Sequence, residues 1–277
     1  MTQYLLLHGF LGAPHAWDRV VQCLDAGDVV HCVCLGGHAE ASAAVRQSVP
    51  LPIGRPPVSS GVFCSARHRD DLPIASSFED EVDRIGAWAR GGTAEKSHLV
   101  GYSLGGRIAL GLLVRHPELW HAATIIGAHP GLETVEQRNE RIEADERWAV
   151  QLETEGLPSF LAAWEALPLF ATQRALPRDV QDEQRAWRAE HDPKGLAWAM
   201  RTLSLGRMPS WRTALRGIEV PVTVAAGETD EKFAALADWM ADVLPRGTAR
   251  RIPNSGHNAV LERPDAVGAL LQEDQAS

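Results

Sequence analysis

Gly101-Tyr102-Ser103-Leu104-Gly105 joins an apolar run to an amphipathic one, and that junction limits what the chain can fold into. The run His98–Tyr102 predicts a buried strand, and Leu104–Arg115 predicts a helix with apolar residues at helical spacing. A serine on so tight a strand-to-helix turn has a strained backbone and crowded neighbours. Glycine on each flank removes the clashing Cβ atoms and leaves the hydroxyl projecting above the end of a sheet. The pattern G-x-S-x-G occurs by chance in many chains. Its position between strand and helix is what gives it weight.

Five more short runs rich in Val, Ile and Leu read as strands: Tyr4–Leu7, Val29–Cys34, Ala122–Ala128, Val222–Ala226 and Ala249–Ile252. Most are nearly continuous in hydrophobicity, as parallel strands covered on both faces are. Helical patterns such as Phe78–Ala89 and Lys232–Val243 lie between them, so right-handed βαβ units and a doubly wound, mostly parallel sheet are expected. The rhythm breaks between His129 and Pro209. That stretch has helical patterns, no convincing strand, and Trp148, Trp164, Trp187 and Trp198, with Trp211 just beyond. It reads as a helical cap, because an insertion after a strand emerges where open sheets bind ligands. The expected division is a core formed by residues 1–128 and 209–277 with a cap at 129–208. A second irregular stretch, 43–77, contains Pro50, Pro52, Pro56, Pro57 and Pro73, which make a regular element unexpected there.

At 277 residues the chain can bury one sizeable core, and 36 acidic against 27 basic residues give a net charge of −9. An acidic chain with no basic run is a poor partner for nucleic acid, so an anionic ligand would need cations gathered inside a pocket. The first residues lack a signal peptide's basic start, and no run approaches the roughly 18 apolar residues that span a bilayer. The cysteines, Cys23, Cys32, Cys34 and Cys64, match no zinc spacing. A cytoplasmic enzyme without metal or cofactor is expected, and oligomeric state is not legible.

Ser103 needs a base to take its proton. His257, in Asn254-Ser255-Gly256-His257-Asn258, follows the last strand. Asp230, just past Val222–Ala226, would fix the histidine's tautomer, with Glu228 as the nearest rival. Developing negative charge needs fixed donors. The Leu104 amide follows the nucleophile directly, and the Phe10 amide lies in the Gly-rich turn His8-Gly9-Phe10-Leu11-Gly12.

The order Ser103, Asp230, His257 is that of the α/β-hydrolase fold. Three further stretches narrow the likeness. Gly101–Arg107 places an arginine one helical turn after the serine. His129-Pro130-Gly131-Leu132 and Gln137-Arg138-Asn139-Glu140-Arg141 open the cap, followed by Asp145 and Trp148. Glu228-Thr229-Asp230-Glu231-Lys232-Phe233 encloses the acid. The combination resembles the 2-succinyl-6-hydroxy-2,4-cyclohexadiene-1-carboxylate synthases of menaquinone biosynthesis, over nearly the whole chain except 43–77. The resemblance implies a lyase whose serine acts as a base, releasing pyruvate from a substrate with several carboxylates. It assigns Arg107, Arg141 and Arg188 to those carboxylates, Trp164 and Phe170 to the cap wall, and Tyr102 to the serine's side. Gly36 stands where the family often has proline, and the link from Leu35-Gly36-Gly37-His38 is longer than the family's. A serine hydrolase acting through an acyl-enzyme remains an alternative, as does a non-enzymatic binding protein on the same fold.

Overall fold

The computed structural model describes residues 1–38, 62–64, 75–92 and 96–274. Among these, seven strands form one parallel sheet: β1 (Gln3–Leu7), β2 (Val29–Val33), β3 (Val62–Cys64), β4 (Ser97–Tyr102), β5 (Trp120–Ile126), β6 (Val222–Gly227) and β7 (Gly247–Ile252). Their order is β3-β2-β1-β4-β5-β6-β7, so the chain starts in the middle, winds to one edge and returns to build the other. β4, which leads to Ser103, lies centrally between β1 and β5.

Side chains alternate across each strand, and the two sets enter different cores. Leu5, Leu7, Leu99, Ile125 and Val224 pack with α2 (Phe78–Gly92), α3 (Leu104–Arg115) and α8 (Glu231–Val243). Tyr4, Leu6, Val100, Ile126 and Ala225 face the other way, onto α1 (Asp18–Val21) and α10 (Pro264–Glu273). Both faces are covered, which is why the strands read as continuous apolar runs. β7 ends the sheet and differs: its Arg250 and Arg251 are exposed.

Between β5 and β6 come α4 (Val135–Thr154), α5 (Gly156–Glu165), a 3-10 segment (Pro168–Ala175), α6 (Arg178–Ala189) and α7 (Pro193–Thr202). Thr134 caps α4 by accepting the Gln137 amide, and Gln137 returns the contact through its side chain. The helices share a small core of Leu152, Phe160, Leu196 and Met200 that also takes Leu11 from the turn after β1.

Two departures from the sequence reading stand out. β3 lies inside the stretch where prolines argue against regular structure. Val62-Phe63-Cys64 contains no proline and pairs through Val30↔Val62 to Cys32↔Cys64, so an edge strand forms there. Pro50, Pro52, Pro56, Pro57 and Pro73 lie outside the described residues. The strand expected at Ala122–Ala128 instead runs Trp120–Ile126, because Gly127, with φ of 59°, turns the chain out of the sheet.

Candidate active site

Ser103 has φ of 52° and ψ of −107°, the strained conformation that the flanking glycines predict. A Cβ on Gly101 would lie 2.5 Å from the Gly105 carbonyl oxygen, and one on Gly105 would fall on the Leu7 carbonyl. No larger residue fits either place without moving backbone. The turn is held on both sides: the Ser103 amide donates to Ile126 at 2.9 Å, and the Gly105 amide donates to the His8 carbonyl at 3.0 Å.

Ser103 Oγ lies 3.1 Å from His257 Nε2, and His257 Nδ1 lies 2.7 Å from Asp230 Oδ2. With Asp230 accepting from Nδ1–H, Nε2 is left to receive the serine proton. Histidine and acid are both buried, and Tyr102, Phe170 and Phe233 surround the imidazole. Glu228 does not compete: it is exposed and its carboxylate accepts the Asn254 amide at 3.0 Å.

His8 has a part that the sequence reading missed. The Leu35 amide donates to its Nε2 at 3.1 Å, so Nδ1 carries the proton and donates to the Gly9 carbonyl at 2.8 Å. Burial pushes the His8 pKa down to about 3, so this neutral tautomer persists. In a trans peptide the N–H points opposite to the C=O. Fixing the Gly9 oxygen, which also accepts the Gly12 amide at 3.0 Å, therefore fixes the Phe10 N–H on the other side. The Leu104 amide belongs to the first turn of α3, where no intrahelical acceptor exists. The only local signal for His8 is its place before Gly9.

A cavity of about 320 Å³ opens over this turn, lined by Ser103, His257, Phe10, Leu104 and Tyr102 from the sheet side. Arg141, Trp164, Phe170 and Arg188 line it from the inserted helices, and Arg107 from α3. Every candidate except Asp230, which stands behind His257, thus faces one space.

The arginines are not equivalent. Arg188 is buried and bonds Glu165 at 2.8 Å, a partner 23 residues away with no local signature. Among the described residues Arg141 is engaged through Nε, at 2.8 Å from buried Asp145, which leaves its terminal nitrogens for a ligand. Arg107 donates to the Leu203 carbonyl at 2.9 Å and has no carboxylate in ion-pair range among the described residues. Burial, then the neighbouring Arg141 charge, lowers its pKa to about 9, with Asp145 opposing. Its solvent exposure is intermediate, so the charge persists at neutral pH but is poorly compensated. Tyr102 is the reverse case: burial, then Glu262, raises its phenol, so it stays a neutral O–H donor.

A profile of the alpha/beta hydrolase family matches residues 4–270. The chain belongs to that family. Among its relatives, a 2-succinyl-6-hydroxy-2,4-cyclohexadiene-1-carboxylate synthase from Enterobacter sp. (strain 638) is 37% identical, covering 74% of this chain and 77% of the relative. One from Shigella sonnei (strain Ss046) is 30% identical over 97% of this chain and 92% of its own length. The solved structure of MenH from S. aureus superposes with a TM-score of 0.82 at 25% identity, covering 99% of this chain and 94% of that one. The synthases that Gly101–Arg107, His129–Arg141 and Glu228–Phe233 resemble are thus among the chain's relatives, one of them along 97% of its length.

Proposed function

We propose that the protein is a carbon–oxygen lyase that eliminates pyruvate from a cyclohexene polycarboxylate, giving 2-succinyl-6-hydroxy-2,4-cyclohexadiene-1-carboxylate in menaquinone biosynthesis. Ser103 passes its proton to His257 and takes one from the substrate ring, while Asp230 stabilises the imidazolium. The ring–oxygen bond breaks as the ring double bond forms. His257 returns the proton to the departing fragment, which leaves as the enol of pyruvate. The Phe10 and Leu104 amides hold the oxygen on which negative charge grows. Arg107, Arg141 and Arg188 hold the carboxylates, because a guanidinium offers two parallel donors. The helices between β5 and β6 act as a cap that keeps water away, with Trp164 and Phe170 as its wall.

The observation that carries this reading is Arg107, a poorly compensated cation one helical turn from the nucleophile and inside the same cavity. A neutral ester does not need it. A carboxylate kept on the substrate's ring does. No helix among the described residues is long and apolar enough to cross a membrane, and a cytoplasmic place of work belongs to this proposal. The net charge of −9 argues against nucleic acid, and it leaves an anionic substrate dependent on the cations gathered in the pocket.

The test is incubation with the synthases' substrate, followed by pyruvate measurement and by mass spectrometry of protein and ring product. Pyruvate with an unmodified protein is expected. A substrate-derived adduct on Ser103, or a ring product heavier by one water, would assign the site to a serine hydrolase.

A further inference from the structure

His129 opens the inserted segment, and neither the triad nor the arginines account for it. It follows β5 and Gly127, is half-buried, and lines the same cavity as Ser103, Arg107 and Arg141. Its Nδ1 accepts the Gly131 amide at 3.0 Å. A neutral imidazole with Nδ1 as acceptor carries its proton on Nε2. Nε2 bonds no protein group among the described residues. Positive charge acts on the ring from each neighbouring element: Lys232 on α8, Arg212 beyond the insertion, Arg107 on α3 and Arg141 on α4. Burial first, then these cations, lower the His129 pKa to about 4. At neutral pH the ring is therefore an uncharged donor among cations. Another positive charge in this wall would be repelled by the rest. A neutral N–H adds a directed hydrogen bond without that repulsion.

We propose that His129 Nε2–H donates to a substrate carboxylate that Arg107 and Arg141 also bind, which makes His129 a specificity-determining residue; this rests on the polycarboxylate reading above. The role is separable from support of the Gly131 turn, because two variants divide the ring's two nitrogens. His129→Asn places an acceptor where Nδ1 was but stops short of Nε2. His129→Gln reaches Nε2's distance with an N–H but gives up the acceptor for Gly131.

The experiment measures kcat and KM by pyruvate release, the calorimetric Kd of the ring product 2-succinyl-6-hydroxy-2,4-cyclohexadiene-1-carboxylate, and the melting temperature of each variant. His129→Asn should raise KM and Kd about tenfold or more, the loss expected for one hydrogen bond to a charged group, with little change in kcat or melting. His129→Gln should melt lower yet bind closer to wild type than the Asn variant does. If wild type turns over and binds while His129→Asn keeps its KM and Kd, or while His129→Gln is as weak as His129→Asn, the proposal is overturned alone. If wild type neither releases pyruvate nor binds the product, the functional reading falls and this proposal with it.

Discussion

The Ser103 backbone occupies a conformation that costs about 1–3 kcal/mol elsewhere in a chain, and the bonds from its own amide and to its carbonyl hold it there. None of those bonds uses the hydroxyl. Ser103→Ala should therefore melt near the wild-type temperature while pyruvate release falls by several powers of ten, as for any member of a unit that acts together. His257→Ala should lose as much activity and also melt lower, because Asp230 is left buried without its imidazole partner. Full turnover in a folded Ser103→Ala protein would end the triad reading. In the proposed function the arginines act on substrate use. Removing one partner of a buried charge-assisted pair costs about 2–5 kcal/mol, so Arg107→Ala should lower kcat/KM at least 30-fold or so. Arg141→Ala should lose less, its side chain being 39% exposed. Lysine at 107 should rescue poorly, because it lacks the planar fork. Kinetics beside melting curves check all five variants, and unchanged kcat/KM in both arginine-to-alanine variants would empty the cavity of its anion.

One short element ties two others together. The α9 helix (Ala259–Glu262) ends in Glu262, whose carboxylate accepts the Gly256 amide at 2.7 Å and the Thr172 hydroxyl at 2.9 Å. Gly256 precedes His257, and Thr172 lies in the 3-10 segment that carries Phe170. The loop holding the imidazole and the wall above it thus share one group. In Glu262→Gln the amide oxygen can still accept from Gly256 and the Thr172 hydroxyl can turn to accept from the new N–H, so both contacts lose their charge assistance rather than one being broken. A kcat about tenfold lower is expected, with Thr172→Val showing the insertion's share alone. Equal kcat in wild type and Glu262→Gln would show that the tie does nothing for turnover. This contact also marks the limit of what the sequence discloses. β1, β4 and β6 are legible because both faces are buried and each strand is mostly apolar. Ser103, Asp230 and His257 are legible because a turn after a strand has local chemistry and the three come in a known order. Glu262 with Thr172 and Arg188 with Glu165 have no such signature, since each depends on how distant elements dock. β3 was hidden for another reason: three residues between a proline-rich stretch and Pro73 are too few to show a period.

For the whole molecule the buried histidines set the response to acid. His98 is buried against Thr124, at 2.8 Å from its hydroxyl, and burial lowers its pKa to about 3, as it does for His8. The unfolded chain binds a proton at each below its ordinary value of 6.5, while the folded chain refuses it until about 3. The stability these residues confer is therefore complete above that ordinary value and is lost as pH falls toward the folded one, at about 1.4 kcal/mol per unit for each proton. Asp274 works in the opposite sense: its pKa is raised by burial, so its contribution is present in acid and lost as pH rises through the folded value. The melting temperature should fall between pH 7 and pH 5, and less steeply in His98→Gln, which cannot take up the proton. Parallel slopes would show that His98 protonates freely in the folded state. The last strand bears on a different matter. A sheet built outward from its centre must stop somewhere, and the outer side of β7 offers amides and carbonyls to any extended peptide that drifts alongside. Arg250 and Arg251 stand exposed on this strand, Arg251 paired with Asp238, so a second chain docking on this edge would have to strip water from charged side chains. Charge on an outer strand is thus a barrier to sheet growing from one molecule into the next.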